Sequence, residues 1–352
     1  MDSGKFQSEK IQNEVFQDKN FQNKNFQDKN FQNKKFRNEK IRGVLSRFGT
    51  ILALMVLSAV FLLFIPGFAK MQNLLNIFYQ ISLLAVISEG FTLCLIVGEL
   101  DLSFPNVASL SGALVAGLIF GGMHPVPAVF ICLGVGIAFG AAAGVLVTKV
   151  GIPSLITTLA SGIIAGGMVY MYTKGVSFYG KMPEGFLLLG RGYLGPIPSL
   201  IAIMLTVVAV AQIFVSRTRA GKYMQATGAN PTASRLAGVD TDFYKILSLS
   251  LSGLAAAFTG ILLTAKLGSA NPEGAAGFMM DAFASALLGM TVLSMGRANP
   301  FGTFIGALMI GIINNGMTLA GAPYYQQDIT KGIIIIFSVA LTSLQSKRLA
   351  GG

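Results

Sequence analysis

The sequence predicts an all-α, polytopic transmembrane bundle of about ten spans, with both termini in the cytoplasm. Three observations lead there. Hydrophobic residues make up 53% of the 352 and charged residues only 12%, about half the charge of an average soluble domain. Several apolar runs reach about 20 residues, the length that crosses a hydrocarbon core roughly 30 Å thick at 1.5 Å per residue. Basic residues collect in three places that the positive-inside bias keeps on one side of a membrane.

The chain divides into a tail over 1–47 and a membrane domain over 48–348. The tail repeats a pentad: FQDKN from Phe16, FQNKN from Phe21, FQDKN from Phe26, FQNKK from Phe31 and FRNEK from Phe36. A period of five matches neither helix nor strand, so these Phe residues cannot line one face. Such low complexity, rich in Asn, Gln and Lys, reads as disorder, or as a basic segment lying on anionic headgroups. No cleavage site follows the first apolar run, which argues against a signal peptide.

Candidate spans run over 49–67, 73–97, 107–122, 125–148, 153–172, 197–215, 245–266, 281–296, 300–320 and 329–345. Lys34, Lys35, Arg37, Lys40, Arg42 and Arg47 precede the first span, and Lys347 and Arg348 follow the last. Between spans six and seven lie Arg217, Arg219, Lys222, Arg235 and Lys245. An even count places all three clusters in the cytoplasm. The stretch 98–106 reads either as a loop or as a break within the membrane. Small residues such as Gly134, Gly136, Gly140, Gly162, Gly166 and Gly167 predict close helix packing, since backbones in lipid associate through tight contact rather than hydrophobic force.

This pattern excludes several classes. The formal net charge is +11, but eleven of the 26 Lys and Arg lie in residues 1–47 and the rest in loops, which argues against nucleic acid as a partner. Cys94 and Cys132 fall inside apolar runs and read as buried thiols, and His124 stands without a second ligand nearby, as a loop residue. No metal site follows. The chain carries no GxxxxGK[ST], so it is not expected to hydrolyse ATP itself.

Two segments carry the functional signal. In Gly98-Glu99-Leu100-Asp101-Leu102-Ser103, closed by Pro105, two carboxylates sit between apolar runs beside residues that free the backbone. Charge at membrane depth usually marks a cavity or partner; the plainer reading is an acidic loop with Ser103 capping the next helix. In the loop 217–244, Asn230 is a cap, Pro231 opens a short helix and Gly238 ends it. A one- to two-turn helix flanked by Arg and Lys is a docking knob for a cytoplasmic partner, or a plain solvated loop. Polar residues within spans are candidates for a translocation path: Thr157, Thr158, Ser161, Gln80, and above all Asn314 and Asn315, with the Asp101 region. Each could equally be a helix–helix hydrogen bond.

The string TRAGKYMQATGANPTASRLAGVD (218–240) resembles the cytoplasmic loop of ribose- and galactose-type simple-sugar ABC permeases, within the larger branched-chain permease superfamily. GELDLS resembles that family's Gly-Gly-Ile-Asp-Leu-Ser signature. GIPSLITTLASGIIAGG (151–167), LSGLAAAFTGILLTAKLGSANPEG (251–274), NPFGTFIGALMIGIINNGMTLAG (299–321) and QQDITKGIIII (326–336) also match, in family order over about 48–345. Departures are Glu99, where a small or apolar residue is common, Met290 and Met295 in a region usually rich in Gly, and the pentad tail.

The resemblance implies a non-enzymatic transport subunit of a bacterial cell membrane, importing a monosaccharide of ribose, galactose or xylose type. It implies three partners: an ABC ATPase that uses ATP and Mg, a second permease copy, and an extracellular sugar-binding protein. Arg219, Gly221, Gly228, Asn230, Pro231, Ala233, Ala237 and Gly238 would form the ATPase-coupling element, and Asp101 and Ser103 would belong to the path. Rival readings are a permease of the same superfamily for a nucleoside or branched-chain amino acid, and a proton-coupled secondary transporter working through Glu99 or Asp101.

Overall fold

The computed structural model describes residues 54–56, 58–292, 296–333 and 336. The pentad tail, the closing Lys347–Arg348 cluster, Met295 and most of the tenth span lie outside them. Within them the chain is mostly helical. Six helical segments are long and apolar enough to cross a membrane: α2 (Met71–Ile96), α4 with a π-helical turn (Pro125–Val150), α5 (Ser154–Thr173), α7 (Ser199–Arg217), α10 (Thr241–Leu267) and α12 (Pro300–Leu319). Shorter apolar helices are α1 (Leu54–Phe64), α3 (Phe104–Phe120) and α11 (Phe278–Met290). A further helical stretch occupies 324–333.

The short members correct the expected boundaries. The third span begins at Phe104 because Pro105 suits the first helical turn, where its missing N–H goes unneeded. The eighth ends at Met290, and Gly296 beyond it takes a left-handed backbone.

The two long connections are structured. In 174–198, β1 (Phe178–Tyr179) pairs antiparallel with β4 (Ser269–Ala270), α6 (Glu184–Arg191) follows, and β2 (Tyr193–Leu194) turns back on β3 (Ile197–Pro198). In 218–240 lie α8 (Arg219–Ala229) and α9 (Pro231–Leu236). His124 caps α4, its Nδ1 accepting from the Val126 amide at 3.3 Å, and both cysteines are free and buried.

At the centre α10 packs against α4, α3 and α2. A Cβ on Gly140 would overlap the Leu249 carbonyl, and one on Gly253 the Gly136 carbonyl, so α4 and α10 touch backbone to backbone. Gly134 and Gly167 instead face open space and take no part in packing. The outward faces invert those of a soluble protein: Phe130 and Ile131 on α4, Ile163 and Met171 on α5, and Val210 and Ile213 on α7 are exposed. Apolar side chains facing outward on long helices are what a lipid solvent favours.

Candidate functional site

The segment between α2 and α3 is a break built into the bundle. Gly98 has φ +83°, the left-handed region that ends helices at low cost only for glycine. Residues 99–103 then run without regular structure, and Glu99, Asp101 and Ser103 are buried. A buried irregular backbone needs partners, and α5 supplies them. The Ser154 hydroxyl accepts from the Leu100 amide at 3.2 Å. The Thr158 hydroxyl accepts from the Leu102 amide at 3.0 Å and donates to the Ser154 carbonyl at 2.8 Å. Gly162, one turn on, leaves room for the Ser103 backbone. This strap is therefore laced to the start of α5.

Asp101 is 1% exposed and fixes the turn into α3: its Oδ1 accepts from the Ser103 amide at 2.8 Å and the Ser103 hydroxyl at 2.6 Å. Ser103 thus occupies the cap position without capping, because its hydroxyl is engaged by Asp101. Glu99 is ion-paired to Lys245 of α10, Oε1 to Nζ 2.6 Å. The buried charge is accommodated because α10 brings an opposite one, and Lys245 is correspondingly withdrawn from the basic loop.

The 218–240 segment begins with a helix that the sequence did not reveal. Thr218 caps α8 by accepting from the Gly221 amide at 3.0 Å. Asn230 then caps α9, its Oδ1 accepting from the Ala233 amide at 2.9 Å; Pro231 opens the helix and Gly238, φ +82°, follows its end. Gly228 is pressed on the end of α2: a Cβ there would overlap the Ile96 carbonyl oxygen and lie 3.1 Å from the Val97 carbonyl carbon. Gly221 packs as tightly on Phe214 and Val215 of α7. Arg235 of α9 pairs with Asp242 at the start of α10, and Lys149 of the π-helical turn meets the same carboxylate at 3.0 Å. The far surface of α9 is open: Ala233 and Ala237 are exposed, and Leu236 is 86% exposed.

The sequence-derived path residues fall into two groups. Asp101, Ser103 and Thr158 meet at the strap; Thr157, next to Thr158 on α5, has a buried hydroxyl with no hydrogen-bond partner, and Ser161 sits one turn on, half-buried. Asn315 lies near the other end of α2, about 35 Å away along that helix. There it exchanges two amide hydrogen bonds with Asn73, each 3.0 Å, the helix–helix reading of this residue. Its neighbour Asn314 approaches Asp281 at 3.4 Å, and Asp281 pairs with Lys331 at 2.9 Å. Gln80 is exposed on α2. Met290 closes α11.

Glu89, Asp281 and Lys331 were missed, although one ionisable residue inside an apolar run is itself a signal. Glu89 lies two turns before the C-terminal end of α2, 2% exposed, and neither carboxyl oxygen has a hydrogen-bond partner. Glu99 and Asp101 are thus not the only buried carboxyls.

Comparison with known proteins places the chain in a family. Over 305 residues the chain is 34% identical to the ribose import permease protein RbsC of Bacillus subtilis (strain 168), covering 86% of this chain and 95% of that one. It is 35% identical over 293 residues to RbsC of Escherichia coli (strain K12), covering 82% and 91%. The D-allose transport system permease protein AlsC of the same strain is 32% identical over 304 residues, covering 86% and 93%. Residues 73–339, from the start of α2 to beyond the last described helix, match one family throughout; this multi-pass membrane chain belongs to the family described as the permease component of the branched-chain amino acid transport system.

Proposed function

We propose that the chain is the transmembrane permease subunit of an ATP-binding-cassette importer for a monosaccharide, of ribose, galactose or xylose type, in the bacterial cell membrane. The ribose and allose importers among its relatives supply the substrate class. The observation that carries the mechanism is the seat of α8, where Gly228 bears on the Ile96 carbonyl just before the strap. In this reading α8 and α9 couple the bundle to a separate ATPase, which binds ATP and Mg. Arg219, Gly221, Gly228, Asn230, Pro231 and Gly238 shape the element, and Ala233 and Ala237 with Leu236 offer the exposed knob.

Closure of the ATPase pushes α8 against α2. The strap then shifts against Ser154 and Thr158 of α5, opening or closing the inner end of the path at Asp101, Ser103 and Thr157. Two copies of the chain enclose the path, and an extracellular binding protein delivers the sugar. Ten crossings, α1 to α5, α7, α10 to α12 and a last span starting near 324, return both termini to the side of α8 and α9, the cytoplasm.

Co-expression with the partner ATPase and affinity purification tests this. Wild type should retain the ATPase; Ala233→Arg/Ala237→Arg and, separately, Leu236→Asp should lose it while eluting as folded permease. If folded wild type binds no ATPase, the importer reading fails, and the unpartnered carboxyl of Glu89 becomes the place to look for proton-coupled transport.

A further inference from the structure

At the N-terminal end of α2, about 30 Å along that helix from the seat of α8, a cavity of about 450 Å³ opens to solvent. Its walls are Gln72, Asn76 and Tyr79 of α2 and, across from them, Arg191 and Tyr193 with the prolines of the β2–β3 ribbon. Its volume lies within the roughly 300–1,000 Å³ of small-molecule sites.

Gln72, Asn76 and Gln80 follow one another at i, i+4 and i+8, so they share one face of α2. All three are exposed, and none has a hydrogen-bond partner among the described residues. Unpartnered amides facing acyl chains are costly, so this face borders water, unlike the apolar outward faces of α4, α5 and α7. The opposite wall is held in place. The Tyr79 hydroxyl donates to the Gly190 carbonyl at 3.0 Å, Arg191 Nε donates to the Lys266 carbonyl at 2.7 Å, and Lys266 Nζ sits 4.4 Å from the centre of the Tyr79 ring.

Resting on the importer reading above, we propose that this cavity is the outer sugar subsite, where a neutral monosaccharide stands after leaving the binding protein. Two free amides and a fixed guanidinium offer donors and acceptors to a ring of hydroxyls, and the exposed Tyr193 ring offers a flat apolar face to the sugar's C–H groups. The lining contains no carboxylate, so the ammonium of an amino acid finds no counter-charge here, although Arg191 could receive its carboxylate.

The test uses the full importer, permease with its ATPase and binding protein, in proteoliposomes with radiolabelled D-ribose and D-allose as probes. Gln72→Ala/Asn76→Ala should lower uptake at least ten-fold while sugar-free ATP hydrolysis stays within two-fold, since neither side chain supports the fold. Uptake within two-fold of wild type overturns the subsite and leaves the importer reading standing. If wild type assembles with its ATPase yet moves neither sugar, and moves leucine instead, both fall. Independently, Asn76→Cys should react with a charged, membrane-impermeant maleimide from outside, with the buried Cys94 and Cys132 silent. Labelling only after detergent extraction would place this face against lipid and overturn the proposal.

Discussion

Gly228→Ala adds one methyl group where α8 meets the end of α2. The added Cβ would overlap the Ile96 carbonyl oxygen. A carbon needs about 3.3 Å from such an oxygen, so α8 must withdraw by roughly 1 Å. Overpacking of this kind costs about 1–3 kcal/mol, and replacing a helical Gly by Ala returns about 1 kcal/mol. The net loss of about 0–2 kcal/mol leaves a folded protein with a displaced joint. Reconstituted with its partners, the variant should keep basal ATP hydrolysis and lose at least ten-fold in sugar uptake, with an unchanged elution profile. Gly134→Ala is the control, because nothing lies within 4 Å of its Cβ; uptake should match wild type. If Gly228→Ala couples hydrolysis to uptake as wild type does, the idea that α8 drives the strap through this contact is wrong.

Two further predictions concern residues the bundle pairs. Glu99→Leu or Lys245→Leu alone strands a largely buried partner of the 2.6 Å ion pair and should cost about 2–4 kcal/mol, less than for a wholly buried pair because Lys245 is partly exposed; thermal unfolding in detergent should show the double variant recovering most of it, and additive losses would refute the coupling. Asn315→Leu should lower stability by about 1 kcal/mol and spare sugar uptake, and a double-mutant cycle with Asn73→Leu should give a coupling of about 0.6–1.7 kcal/mol. Lost uptake at unchanged stability would return Asn315 to the path.

The helices legible in the sequence are those whose apolar runs exceed the bilayer on their own, such as α4 and α10. Phe278–Met290 is shorter than a full crossing, so apolar length alone drew its far boundary too late. In α9 the Asn230, Pro231 and Gly238 signals act locally and were readable, whereas α8 is held by close contact of Gly221 and Gly228 with α7 and α2, which leaves no periodic trace. Asp101 and Thr158 were each noticed as polar residues, yet their shared role depends on α5 returning beside the strap. Glu99 looked anomalous because the explanation, Lys245, lies on a helix distant in sequence. Asn73 and Asn76 escaped for a different reason: they sit three positions apart on α2, but only the packing of α12 decides that the first is internal and the second open.

The 27 residues of α10 form an unbroken rod about 40 Å long. Near one end Asp242 holds Arg235 and Lys149, and Lys245 holds Glu99. At the other, Lys266 lies over Tyr79 and its carbonyl receives Arg191. Such a rod, gripped in the middle by the glycines of α4, has the geometry of a see-saw, with its pivot at that contact. A tilt of about 10° about its centre would carry each end about 3.5 Å in opposite directions. The outer and inner mouths of the path would then be geared to each other, so that one helix alone could keep them from standing open together.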